Sequence, residues 1–273
     1  MRFKITLVPI SKNPIIPINY QYPLSAVIYK VLSGADEKYA SFLHEKGYQV
    51  GDGLKRFKFF TFSDLRAKFK LRDKDRMHLH SNPELIVSFY LPEAAKHFIK
   101  GIFLNREIAI ADGTSKALFL VEQVEALLPL NIPNGSIDSL HFDVLSMVVC
   151  GRKNDDGNYV FLSPEDPNWK PMVLYNWKEK CRAASLDFSE TEWAIMDIET
   201  LLDKKKPASR LIVIKAGTKA QTRIKGYRDF GIRATGPSAA LELLYNAGCG
   251  AYTSLGCGFL GIKENWEINH DNT

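Results

Sequence analysis

Strand and helix patterns that run twice in the order β-α-β-β-α-β predict an α+β fold of two tandem ferredoxin-like (RRM-like) domains. Two further observations support this. A polar, turn-rich stretch, Asn131-Ile132-Pro133-Asn134-Gly135-Ser136, separates the passes, and the second pass ends in a helix, a glycine-rich loop and a strand. The boundary is placed between an N-terminal domain, 1–128, and a C-terminal domain, 129–273. The passes share element order but no plain sequence repeat.

In the first pass, residues 2–8 alternate polar and apolar and read as a strand. Leu24, Val27, Ile28, Val31 and Leu32 recur at i, i+3, i+4, i+7 and i+8, one face of a helix. A second short helix holds Tyr39, Phe42 and Leu43. Residues 56–62 are aromatic and β-prone, and 85–91 form another strand. Pro92 opens a helix to about Phe103, and strands at 108–110 and 118–121 close the half. In the second pass, 142–149 is a strand and a helix lies near 172–184. Strands follow at 211–214 and 222–233. A helix over 237–245 has Ala240, Leu243 and Leu244 on one face, and Phe259, Leu260 and Ile262 give the last strand.

The net charge of +5 hides an asymmetry. Residues 46–76 hold ten Lys/Arg against four Asp, and residues 204–233 hold ten Lys/Arg against Asp229 alone, so the remainder is acidic. Two basic blocks on an acidic body point to a localised polyanion site. Lys204, Lys205 and Lys206 read as a solvated loop. Lys219, Arg223, Lys225, Arg228 and Arg233 are interleaved with Ile224, Tyr227, Phe230 and Ile232, which suggests a sheet with one basic face. No apolar run approaches the ~20 residues that span a bilayer, so no membrane partner is expected. Cys150, Cys181, Cys249 and Cys257 show no paired spacing, which fits a reducing, cytoplasmic setting.

The most informative segment is 248–259, where Gly248 and Gly250 are followed by Gly256 and Gly258. Glycines let backbone N–H groups come close to a ligand, and turns rich in them bind phosphate. Here helix precedes loop and loop precedes strand, the reverse of a P-loop or a dinucleotide fingerprint. The alternative to ligand binding is a structural turn. Cys249 and Cys257 read as small apolar filling beneath the loop. His78 and His80 fall on one face of a strand, but no acid or thiol lies near them in sequence, so no metal site and no cofactor is expected. Their neighbours Arg72, Lys74 and Arg76 suit backbone contact or solvation.

Three stretches carry a resemblance that spans both halves. They are Met1-Arg2-Phe3-Lys4-Ile5 with Pro17-Ile18-Asn19-Tyr20-Gln21-Tyr22-Pro23-Leu24 and Ile28-Tyr29; Phe42-Leu43-His44-Glu45 with Phe57-Lys58-Phe59-Phe60-Thr61-Phe62-Ser63; and the glycine loop ending in Gly258-Phe259. With them the chain resembles the CRISPR-associated endoribonucleases that process repeat RNA, within the RAMP superfamily. The glycine loop alone would indicate only the superfamily, which includes non-catalytic RNA-holding subunits. The Tyr, His and Lys set points to the cleaving branch.

The resemblance implies metal-independent cutting of precursor CRISPR RNA within each repeat. A ribose 2′-OH attacks the adjacent phosphate and expels the 5′-oxygen of the next nucleotide. The products end in 2′,3′-cyclic phosphate (or 3′-phosphate) and 5′-hydroxyl. His44 suits the acid, because imidazole titrates near ~6.5. Tyr29 occupies the family's base position, though a phenol near ~10 needs a cation to lower it. Lys58 would supply that cation and stabilise the phosphorane, with Lys55 and Arg56 as alternatives. Each residue has a structural reading too: Tyr29 as packing beside Ile28, His44 as a helix C-terminal residue favoured by the macrodipole, Lys58 as the outer face of a half-buried strand. Gly248, Gly250, Gly256 and Gly258, with the Lys219–Arg233 cations, are the expected RNA contacts. CRISPR repeat RNA is the implied partner; CRISPR effector subunits and a second copy of the chain are compatible ones.

Overall fold

In the computed structural model, the first half alternates short β-ribbons with three helices. It runs β1 (Arg2–Pro9), β2 (Ile15–Pro17), α1 (Gln21–Ala35), α2 (Glu37–Glu45), β3 (Phe60–Phe62), β4 (Phe69–Arg72), β5 (Arg76–Leu79), β6 (Glu84–Phe89), α3 (Pro92–Leu104), β7 (Glu107–Ala111) and β8 (Lys116–Ala126). The second half runs β9 (Ile137–Val144), β10 (Gly151–Lys153), β11 (Tyr159–Phe161), α4 (Trp169–Ala183), α5 (Glu190–Ile195), β12 (Asp197–Leu201), β13 (Ala208–Ile214), β14 (Thr222–Arg228), β15 (Gly231–Pro237), α6 (Ser238–Ala247) and β16 (Leu260–Gly261). The structure describes residues 1–262 apart from Asp52, Leu54, Lys74, Gly157, 203–205 and Gly217. Lys74, Lys204 and Lys205 of the basic blocks, and residues 263–273 of the expected C-terminal domain, therefore lie outside the described residues.

The main sheets are ordered β3-β6-β1-β8-β7 and β12-β15-β9-β16. Apart from β7, both have the first and third strands of a β-α-β-β-α-β unit at the centre and the second and fourth flanking them. This is the expected ferredoxin-like topology, twice. The second unit carries two inserted hairpins, β10–β11 before α4 and β13–β14 between β12 and β15. The first carries the small β2-β5-β4 sheet.

Local chemistry explains the helices. The apolar stripe of α1 buries Leu24, Val27, Ile28, Val31 and Leu32. It packs so closely on α3 that a Cβ at Gly101 would overlap the carbonyl of Val31. Asp36 caps α2 by accepting from the Tyr39 N–H at 2.8 Å. The glycine-loop helix α6 begins one residue after Pro237.

Three strand expectations change. The aromatic run 56–62 is strand only over Phe60–Phe62, because Phe59 adopts φ 50° and turns the chain. The strand expected at 142–149 sits earlier, at Ile137–Val144, since its partner β15 pairs Pro237 with Ile137. The expected strand 222–233 is two strands in different sheets, broken at Asp229 with φ 63°.

The halves are joined by polar contacts. The buried Arg2 guanidinium donates to the carbonyls of Leu260 and Tyr245 and lies over the Tyr245 ring. Asp64 accepts from Tyr20 at 3.0 Å, Arg210 at 2.9 Å and Arg228 at 3.0 Å, which pins the β13–β14 hairpin to the first half. Phe57 and Phe59 complete the core cluster of the second half.

Candidate active site

Tyr29 and His44 meet where α1 packs on α2. The Tyr29 ring sits edge-on to the His44 ring, with centroids 5.0 Å apart, and also meets Phe60. Its hydroxyl shares a hydrogen bond with Ser254 of the glycine loop, yet burial dominates and pushes the phenol up to about 12. His44 is exposed in the last turn of α2.

Gly47, at φ 65°, lets the chain leave α2. Tyr48 and Phe57 then exchange backbone hydrogen bonds of 2.8 and 2.7 Å, which closes the intervening loop and returns the chain to the helix end. There Lys58 Nζ donates to the His44 carbonyl at 2.8 Å, and Arg56 donates to the Glu45 carbonyl at 2.6 Å. Both cations thus cap orphan carbonyls at a helix C-terminus, where the macrodipole favours them. Lys55 instead lies 3.9 Å over the Tyr175 ring on α4. Of the three candidate cations, Lys58 is the one joined to His44. Burial, with Arg56 beside it, pulls the Lys58 ammonium down to about 8.

Lys55, Arg56 and Lys58 form one wall of a cleft of about 520 Å³; Arg152, Lys153 and Tyr159 of the β10–β11 hairpin, Met172, Asn176 and Lys180 of α4, and residues 250–254 form the others. The cleft lies between the two halves. Among the described residues, no carboxylate forms an ion pair with Lys55, Arg56, Lys58, Arg152 or Lys153.

The glycine loop closes this cleft in an unexpected way. Gly248, Gly250, Gly256 and Gly258 all have positive φ, between 69° and 85°, and all are buried. A Cβ at Gly258 would overlap the Cys249 carbonyl, one at Gly256 the Phe62 ring, and one at Gly250 the Val149 carbonyl. The protein's own packing therefore leaves no room for a side chain at Gly250, Gly256 or Gly258. The part of the loop that lines the cleft runs from Gly250 to Ser254. Beneath the loop, the buried ammonium of Lys180 donates to the carbonyls of Gly248 at 2.6 Å and Gly250 at 2.9 Å. Burial pulls it down to about 8.

The other predicted cations lie on a different surface. Lys219 and Arg223 are exposed on the β13–β14 hairpin, and Lys225 sits 5.2 Å from the Tyr227 ring centroid. Arg228 is ion-paired with Asp64 and Asp229, and Arg233 with Glu199 in a pair that stays solvent-exposed. The His78 and His80 rings lie side by side, tilted by 49°, with centroids 4.5 Å apart. Among the described residues no three His, Cys, Asp or Glu side chains converge as a metal-binding group, and no helix is long and apolar enough to cross a membrane. The four cysteines are buried and unpaired, and burial raises the thiols of Cys150, Cys181 and Cys249 to about 12 and that of Cys257 further.

Sequence reasoning missed Lys180, Asn176, Arg152 and Lys153. One signal for α4 was available: Met172, Asn176 and Lys180 recur at i, i+4 and i+8, a face beside the buried Val173-Trp177-Cys181 stripe.

Family models match both halves: CRISPR-associated protein Cas6, N-terminal, over residues 15–125, and CRISPR-associated protein Cas6, C-terminal, over residues 131–262. The chain is 26% identical over 269 residues to a CRISPR-associated endoribonuclease Cas6 of Pyrococcus furiosus, covering 97% of this chain and 91% of that one. The structure of a Cas6-related protein from the same organism superposes with a TM-score of 0.76 at 24% identity, over 97% of this chain and 98% of that one. A RAMP protein described as binding different RNA substrates superposes with a TM-score of 0.72 at 19% identity, over 95% and 98%.

Proposed function

We propose, from the premise that this chain belongs to the Cas6 family, that it is an endoribonuclease that processes CRISPR RNA, cutting precursor transcripts within their repeats without a metal ion. The observation that carries this reading is the junction of His44, Lys58 and the glycine loop at a cleft whose rim is rich in cations and free of ion-paired carboxylates among the described residues.

The scissile phosphate lies against Lys58 at the end of α2, and the flanking phosphates follow the cations of the cleft. The 2′-hydroxyl of the upstream ribose passes its proton to solvent water as its oxygen attacks phosphorus, a P–O bond forms, and the bond to the 5′-oxygen of the next nucleotide breaks. His44 hands a proton to that departing oxygen as general acid. The Lys58 ammonium stabilises the extra negative charge of the phosphorane. Tyr29, with a phenol held at about 12, orients the His44 ring and ties it to the glycine loop through Ser254. Residues 1–128 supply the reacting groups, and 129–273 the loop and the remaining basic surface. The four free thiols suit a cytoplasmic enzyme.

A labelled repeat RNA incubated in excess chelator should be cut at one site. A deoxyribose on the nucleotide 5′ of the cut should abolish cleavage and leave binding nearly intact. His44→Ala should lower the single-turnover rate by about 10²–10⁴ with little change in affinity. Cleavage of the deoxy substrate would exclude 2′-OH attack. Tight binding with no cleavage by the unaltered chain would make it a non-catalytic RNA-holding subunit.

A further inference from the structure

Lys180 is a buried ammonium with no part in the steps at His44 and Lys58. It is 3% exposed, and among the described residues no carboxylate forms an ion pair with it. A buried charge without a counter-ion is costly, so what it holds is informative. It holds the glycine loop, through the carbonyls of Gly248 and Gly250. The helix behind it is firmly seated. Trp169, Val173, Trp177 and Cys181 of α4 are buried, and the Trp177 indole donates to the Ala240 carbonyl of α6 at 2.9 Å. On the loop's own backbone, the Ala251 N–H donates to the Val149 carbonyl at 2.8 Å and the Gly258 N–H to that of Met147 at 2.8 Å. Lys180 satisfies two carbonyls that this pairing does not use.

From Gly250 the loop runs to Ser254, which hydrogen-bonds the Tyr29 hydroxyl. The Tyr29 ring in turn stands edge-on to His44. The intervening chain is not slack. Tyr252 is held at φ 58°, a conformation that non-glycine residues seldom adopt and that persists only where the surroundings fix it. Thr253–Leu255 then form a 3₁₀ turn. A displacement at the two gripped carbonyls is therefore carried on to Ser254.

We propose that Lys180 is a positioning residue for RNA cleavage: by holding Gly248 and Gly250 it sets the reach of Ser254 to Tyr29, and through Tyr29 the orientation of the His44 ring. The proposal rests on the RNA-processing reading above and adds to it a residue of the second half that acts on the acid of the first. Lys180 needs no contact with RNA for this role. Misplacing a reacting group by ~1 Å can cost about 10²-fold in rate, so a grip on the loop from α4 is felt at His44. A lysine that only stabilised the core would behave differently: its loss would lower the melting temperature and leave the rate of the folded protein alone.

The test is single-turnover cleavage of repeat RNA at saturating protein, well below the melting temperature, with affinity measured alongside. Lys180→Met keeps the length of the side chain and loses its donors. Lys180→Gln keeps two donors, one bond nearer the backbone, and should fold even where the methionine variant does not. Each should lower the rate by roughly 10- to 100-fold while RNA affinity changes by less than about twofold. Ser254→Ala should cost a similar factor, and adding it to either Lys180 variant should lower the rate no further, because residues on one path do not act additively. A wild-type rate in a folded Lys180 variant, or losses that multiply in the double variant, overturns the proposal. An affinity loss as large as the rate loss also overturns it, since that marks a direct RNA contact. A second readout is independent of cleavage: the imidazole proton resonances of His44, which lie under the Tyr29 ring, should move in the same direction in Lys180→Met and Ser254→Ala. If the unaltered chain leaves repeat RNA uncut, the processing reading fails. If the His44 resonances stay in place in the Lys180 variants, the tie between the halves fails, whatever the RNA does.

Discussion

The two basic regions of this molecule use similar residues to different ends. Around the cleft, Lys58 and Arg56 are anchored on helix-end carbonyls and Lys180 on loop carbonyls. A carbonyl orients a cation without neutralising it. On the second region, Arg210 and Arg228 meet Asp64, and Arg233 meets Glu199. Those arginines are structural ties between elements, and of the five cations expected there Lys219, Arg223 and Lys225 form no ion pair with a carboxylate among the described residues. Counting charges along the sequence gave the second block the stronger field. What matters to a polyanion is how each charge is held, and that difference between the cleft and the hairpin can be tested.

The largest effect expected from this contrast concerns how the cleft wall is held. Gly256→Val would force a branched side chain onto Phe62 at a positive φ, which should cost about 3 kcal/mol of stability. A melting curve of the variant checks this, and an unchanged melting temperature would mean that the loop is less firmly packed than described. Next is the tie of the hairpin. Asp64→Ala leaves Arg210 and Arg228 without their shared carboxylate and should cost about 2 kcal/mol, discounted from ~3–5 for a fully buried pair because Asp64 is part-exposed. In exchange, the two freed arginines should steepen the salt dependence of RNA binding.

Smaller still are the effects of single phosphate contacts. Replacing Arg152 and Lys153 by Ala should flatten the log–log salt slope of RNA binding by about 1.4, at ~0.7 per contact to a single strand. The triple replacement of Lys219, Arg223 and Lys225 should flatten it less. A larger change from the hairpin than from the cleft would reverse the comparison.

The smallest effect is on pH. Lys58 and Lys180 are both held at about 8, so both are charged below that pH and RNA affinity should fall as pH rises through it. Stability should move the opposite way. An unfolded lysine keeps its proton to ~10.4, so between about 8 and ~10.4 the unfolded chain binds more protons and the native state gains with rising pH. Titrating affinity and denaturant midpoint on one preparation separates the two trends.

Much of this architecture was legible because it follows from short-range patterning. The stripe on α1, Pro92 at the head of α3 and the alternation of β1 each report one buried face. The strand errors share a cause: residues 56–62 and 222–233 have β-prone composition, but whether a strand continues or turns depends on single residues at positive φ, Phe59 and Asp229, whose conformation is set by distant partners. The site divided in the same way. His44, Tyr29 and Lys58 were found through a resemblance to a family, since nothing in their local sequence requires them to meet. Lys180 and Asn176 were overlooked because a lysine and an asparagine on an amphipathic helix read as solvent-facing until the glycine loop folds over Lys180 and residues 55–58 form the facing wall of the cleft. The glycines were noticed for the right property, positive φ, and the structure adds that protein atoms already stand where a Cβ at Gly250, Gly256 or Gly258 would go.

The four buried thiols have a practical consequence. Deprotonation of Cys150, Cys181, Cys249 and Cys257 is suppressed by burial, and thiolate is the species that maleimides and iodoacetamides attack. The native fold is therefore silent to such reagents. Cysteines introduced at exposed positions, such as Phe103 on α3 and Lys153 at the cleft rim, could carry a donor and an acceptor dye without first stripping the natural ones. The distance between the two positions with and without RNA could then be read by energy transfer, with the wild-type chain serving as its own unlabelled control.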